Sequence, residues 1–66
     1  MMEDWKRRLI EEYDQLEERI MKLRRFLNET PPTEVQGYDL MLCQYHAMQT
    51  YSQALHSRMK LYGMVK

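Results

Sequence analysis

The apolar positions in the first half of the chain are Leu9, Tyr13, Leu16, Ile20, Leu23 and Leu27, spaced alternately four and three residues apart. That alternation keeps one line of side chains on one face of an α-helix. It is a heptad seam, the pattern of helices packed nearly side by side. Glu, Lys and Arg fill most positions between, and Asp4 stands in the first turn, where the helix dipole favours a carboxylate. Asp4 precedes Arg8 by four residues and Glu18 precedes Lys22 by four, the spacing of favourable helical ion pairs. Nothing breaks the pattern before Asn28. The expectation is a helix over residues 4–27, about 36 Å long at 1.5 Å per residue.

The segment Asn28-Glu29-Thr30-Pro31-Pro32 ends it, because proline lacks the N–H and restricts the residue before it. Thr33 with Gln36 three residues later has the form of a capping box. Gly37 weakens a helical turn there, so the regular second helix is expected from residue 38, after a connector at 28–37. Met41, Tyr45, Met48, Ser52, Leu55, Met59 and Tyr62 then resume the heptad spacing, with one small polar residue among them. Gly63 stands where a glycine ends a helix, behind Arg58 and Lys60. A second helix over 38–62 follows. Two long helices joined by a short connection lie antiparallel. The reading is all-α: one domain over 1–66, an antiparallel two-helix hairpin.

The two helices differ in chemistry. The first is densely charged. The second carries no charged residue from Leu40 through Ser57, counting histidine as neutral, and its outer positions include Gln44, His46, Gln49, Thr50, Tyr51, Gln53, Ala54 and His56. A solvated helix face usually carries Lys and Glu, whereas interfaces deplete them and favour Tyr and Met. A hairpin of 66 residues also has a thin core, and domains this small usually need a disulfide, a metal or a partner chain. The single Cys43 offers no internal disulfide. Both arguments lead to a helical-bundle homo-oligomer with the second helix at its centre.

Charge and cysteine usage narrow the class. Ten basic residues balance ten acidic ones, which argues against a protein that coats DNA or RNA in bulk. No apolar run reaches membrane-spanning length. The lone cysteine and the lack of a secretory signal suit a reducing cytoplasm.

Cys43, His46 and His56 fall short of the ligand count of a zinc site, so no metal or cofactor is expected. No nucleophile, base and orienting group form a recognisable set, and no catalytic residues or enzymatic activity are expected. Glu11, Glu12, Glu17 and Glu18 read as a solvated helix face. Nucleotide-type ligands ask for cations and flat side chains. The chain supplies Lys22, Arg24 and Arg25 near the end of the first helix, Lys6, Arg7 and Arg8 near its start, and Trp5, Tyr13, Tyr38, Tyr45, Tyr51 and Tyr62. On composition alone the preferred reading of these residues is dipole-complementing cations and interface tyrosines, because such clusters are common on helices.

The stretch from Arg8 to Leu23 (RLIEEYDQLEERIMKL), followed by Phe26-Leu27, resembles the first helix of a family of very small helical phage proteins first named from crAss-like phages. Gln44 to Met59 (QYHAMQTYSQALHSRM) is similar to that family's second helix. The match spans about Trp5 to Met59. That family in turn resembles the helical hairpin domain of phage sponges that counter CBASS and Thoeris immunity. Such sponges are oligomers that hold cyclic dinucleotides, cyclic trinucleotides or cyclic ADP-ribose variants between protomers without cleaving them. The resemblance implies a non-enzymatic anti-defence protein that sequesters a cyclic nucleotide immune signal in the host bacterial cytoplasm. Within it, Lys22, in an isoleucine-x-lysine-leucine pattern, looks like the position of a phosphate-binding lysine. The candidate ligand site is Lys22 and Arg25 together with Tyr13, Tyr45 and Tyr51, meeting across a subunit contact. The competing reading is a helical protein-interaction module that inhibits or scaffolds a host or phage protein through the uncharged face of the second helix.

Overall fold

A computed structural model describes residues 3–65. It is a helical hairpin of 50 × 18 × 17 Å, built from α1 (Asp4–Glu29) and α2 (Tyr38–Leu61). The helices are antiparallel. Trp5 meets Tyr62 at the open end, Glu17 meets Ser52 midway, and Leu27 meets Tyr38 at the closed end.

Most of the seam read from the sequence is the core; Leu23 and Met41 are half-buried, and Tyr62 at its end is exposed. Leu9, Leu16, Ile20 and Leu27 of α1 are buried, as are Ser52, Leu55 and Met59 of α2. Leu55 is the most enclosed, at 1% exposure. Tyr13, Tyr45 and Met48 pack half-buried against this line, joined by Met64 and Val65 just beyond α2. The core is one side chain deep, so each of these residues separates the seam from water almost alone.

The ends of the helices have identifiable causes. α1 continues through Asn28 and Glu29, two residues past the last seam leucine, and stops at Thr30, which is extended (φ −113°, ψ 121°). Pro31 sets this point, because its ring drives the preceding residue out of the helical region. The Tyr38 hydroxyl donates to the Leu27 carbonyl at 3.0 Å, supplying a partner to one of the carbonyls a helix end leaves open. The capping box expected at Thr33 does not form. A turn closed by the Glu34 N–H on the Pro31 carbonyl occupies that segment, and Gly37, at φ +80°, is the residue that enters α2. A left-handed entry is open to glycine at no steric cost, and the helix starts at Tyr38, where the sequence places it. At the other end the Met64 N–H bonds the Met59 carbonyl at 2.8 Å and the Gly63 N–H bonds the Lys60 carbonyl at 3.0 Å. With Gly63 at φ +70°, this is a Schellman closure. It turns Met64 and Val65 back onto the core.

Of the two ion pairs expected on α1, Glu18–Lys22 forms at 3.2 Å. Asp4 pairs with Arg7 at 3.3 Å instead of Arg8; three- and four-residue spacings are both within reach on a helix. Both pairs are exposed and add little to stability. Among the described residues, no helix is long and apolar enough to cross a membrane.

A tyrosine-ended groove along one flank of the hairpin

Ser52 is the small residue in the seam of α2. Where a larger apolar side chain would fill the interhelical line, it leaves room and a hydroxyl. That hydroxyl donates to Glu17 Oε1 at 2.6 Å. Ser52 is the one buried polar residue among those described, and every fully buried side-chain polar atom there has a partner. Glu17 is therefore held against the seam, half-buried.

Around this pair the two helices leave a groove. Toward the open end Tyr13, Glu17, Ser52, Gln53, His56 and Ser57 line a space of about 420 Å³. Toward the closed end Glu17, Ser52 and Gln53 continue into a space of about 220 Å³ that Ile20, Met21, Arg24, Tyr45 and Gln49 complete. The two share three residues and form one trough with a tyrosine at each end. Tyr13 and His56 have ring centroids 5.7 Å apart with planes inclined by 37°. The Tyr45 hydroxyl accepts from Gln49 Nε2 at 3.1 Å. Burial pushes the Tyr13 phenol above its ordinary value; the neighbouring Glu17 carboxylate adds to the rise and Ser52 opposes it. The phenol therefore stays protonated well into alkaline conditions and keeps a hydrogen-bond donor in the trough.

The chemistry on offer is that of recognition. Flat faces at both ends suit ring stacking. Glu17 accepts from hydroxyl or amino donors, the amides of Gln49 and Gln53 both donate and accept, and the Arg24 guanidinium suits a phosphate or carboxylate.

The structure divides the residues singled out in the sequence. Tyr13 and Tyr45 lie in the trough. Arg25 lines a separate cleft of about 330 Å³ with Met21, Arg24, Asn28 and Glu29; Arg24 and Met21 belong to both. Lys22 points to solvent, its side chain 73% exposed and paired with Glu18. Tyr51 is 47% exposed and its hydroxyl donates to the Glu12 carboxylate. Glu12 and Glu17 are five residues apart, about 140° around α1 at 3.6 residues per turn, so Tyr51 sits on the flank away from the trough. Sequence reasoning missed Glu17, Gln49, Gln53 and His56 as members of one site. The signal available was the lone serine in an otherwise apolar seam. The reading of the four glutamates as a solvated face is corrected at one position: Glu17 is half-buried and accepts from Ser52, while Glu12, on the other side of the seam, stays exposed and accepts from Tyr51 at the surface.

Comparison with known proteins adds one finding. The Sequestin family model matches residues 3–61, nearly the whole chain, so the chain belongs to that family. No curated protein and no solved structure matches it.

Proposed function

We propose, from membership of the Sequestin family, that this chain is a non-enzymatic sponge for cyclic nucleotide immune signals. Its ligands would be cyclic dinucleotides, cyclic trinucleotides or cyclic ADP-ribose variants, bound and held without cleavage. The family's name speaks for sequestration. The observation that carries the ligand class is the trough: an aromatic face at each end, hydrogen-bonding groups along its floor, and Arg24 beside Tyr45. Bases stack on tyrosines and phosphates pair with guanidinium groups. A phage origin, action in the host cytoplasm against CBASS or Thoeris signalling, and a homo-oligomer with ligand at subunit contacts complete the proposal. Lys22 and Tyr51 lie off the trough, so in this reading they reach a ligand from a neighbouring protomer.

The test is a titration of the purified protein with each ligand class by calorimetry and thermal shift. A ligand that binds only the folded form raises Tm as RT ln(1 + [L]/Kd) predicts. Heating the complex and recovering the ligand unchanged separates holding from cleaving. No shift with any of the three classes sinks the reading, and a cleaved product makes the protein an enzyme.

A second reading has its own observation. Leu40 and Leu61 on α2 are 71% and 78% exposed, which suits a protein-interaction module that docks a host or phage protein. A monomeric mass with α2 unpaired, together with one stoichiometric protein captured from host lysate, would favour it.

A further inference from the structure

α2 carries two apolar lines, and α1 covers only one. The second runs through Leu40, Ala47, Ala54 and Leu61, one residue in every seven. At 3.6 residues per turn it lies about 120° around α2 from the seam. A seven-residue repeat drifts by only about 20° per heptad, so the line stays on one face for about 32 Å. All four residues are exposed, as is Tyr51 beside them at 47%. Scattered surface leucines need no explanation, but apolar residues in heptad register along one helix face mark a helix–helix contact.

We infer that this face pairs with the same face of a second copy, antiparallel, about a twofold axis passing between Thr50 and Tyr51. The line reads the same in both directions, leucine outermost and alanine within. A rotation about that axis sets Leu40 against the second copy's Leu61 and Ala47 against its Ala54, the self-complementary contact a twofold dimer requires. Alanine at both inner positions brings the axes toward the short end of the 8–10 Å spacing of packed helices. Charge selects the direction. The charged residues of α2 are Asp39 at its start and Arg58 and Lys60 near its end. Antiparallel pairing brings Asp39 toward the second copy's Arg58 and Lys60 and sets the helix dipoles head to tail. Parallel pairing in register would place each charge against its like. The trough lies on the other flank of the hairpin, so this pairing leaves it open in both copies, and a ligand shared between protomers needs a further contact, made between such dimers. The inference rests on the homo-oligomer part of the proposed function and is independent of the ligand.

Cys43 supplies the test. In this register it faces position 58 of the second copy. Within one chain those positions are fifteen residues apart on the same helix, about 22 Å, far beyond the 4.4–6.8 Å between Cα atoms that a disulfide spans. Dilute Arg58→Cys protein under mild oxidation should therefore run as a covalent dimer on a non-reducing gel. Neither the unaltered chain nor Arg58→Cys combined with Cys43→Ala should do so. A dimer linked through Cys43 alone would show parallel pairing and overturn the inference, as would an uncrosslinked Arg58→Cys chain of native helicity. As a second measurement, Ala47→Glu should abolish crosslinking in the Arg58→Cys background; unchanged crosslinking would also overturn it. A crosslinked dimer that binds none of the nucleotides leaves the pairing standing and removes the sponge, whereas binding without crosslinking does the reverse.

Discussion

The Ser52 hydroxyl donates to Glu17 Oε1 across the helix seam at 2.6 Å, tying a buried residue of α2 to a half-buried carboxylate of α1. A hydrogen bond to a charged group contributes about 1.5–3 kcal/mol when both partners are enclosed. Glu17 opens onto the trough and water can replace the lost donor. Ser52→Ala should therefore cost about 1 kcal/mol, read as a lower urea midpoint at unchanged slope. A loss above about 3 kcal/mol would mean that Glu17 is sealed from solvent.

That pair also marks where sequence reasoning stopped. The helices, the antiparallel pairing and the Gly63 ending were legible because each rests on local rules: heptad spacing, a proline break, a glycine in the left-handed region. Which glutamate of a charged helix faces its neighbour is a different matter. Glu12 and Glu17 stand in two similar Glu-Glu pairs, and only the rotation of α1 against α2 brings one to Tyr51 and the other to Ser52. Tyr13 and Tyr45 could be named as aromatic candidates from sequence. Their shared trough depends on the space that Ser52 leaves between helices, a tertiary property. Thr33 failed as a cap because its local motif competed with the turn at Pro31 and the left-handed Gly37.

Leu55, 1% exposed, is the residue on which the thin core most depends. Leu55→Ala removes about 2–5 kcal/mol, a large part of the stability of a domain this size. The variant should lose most of its helical circular dichroism at 37 °C. Met21, 62% exposed, is the control, and Met21→Ala should stay within about 0.5 kcal/mol of the parent. Equal effects would contradict the assignment of the seam.

Gly63 has φ +70° and open space where a Cβ would stand. Substitution there meets backbone strain without a steric clash. Gly63→Ala should cost about 1 kcal/mol, or about 4–8 °C in Tm for a domain of this length. It should also loosen Met64 and Val65 from the core, visible as faster amide exchange at Met64. An unchanged Tm would show that the Schellman closure contributes nothing.

The Tyr13 phenol is raised above its ordinary value by burial first and by Glu17 second. In the unfolded chain it loses its proton near pH 10; in the folded chain it holds it longer. Between those two values the unfolded state binds fewer protons, so stability falls as pH rises. The contribution is fully present below the unfolded value and is lost as pH climbs through the folded one. Tyr13→Phe lacks this component. The stability difference between parent and Tyr13→Phe should therefore narrow above about pH 10, followed by urea unfolding at stepped pH. A difference constant across that window would show that Tyr13 titrates as a free tyrosine.

Ligand variants distinguish a site within one hairpin from a site between two. Tyr13 lines the trough and Lys22 lies on the solvent face, engaged with Glu18. If a nucleotide lies in the trough and stacks on Tyr13, Tyr13→Ala should weaken binding by about 1–3 kcal/mol, roughly fivefold to 160-fold. Lys22→Ala tests the neighbour's contribution. A ligand held by one hairpin alone leaves that variant's affinity within about twofold of the parent, because an exposed lysine off the trough then adds only a screened long-range attraction. A ligand held between protomers loses a charge-assisted contact worth about 1.5–3 kcal/mol, and its affinity falls more steeply with added salt in the parent than in the variant. Calorimetry of both variants at two salt concentrations separates the cases. If Tyr13→Ala leaves the affinity unchanged while Lys22→Ala abolishes it, the trough is not the ligand's bed and the site belongs wholly to a subunit contact.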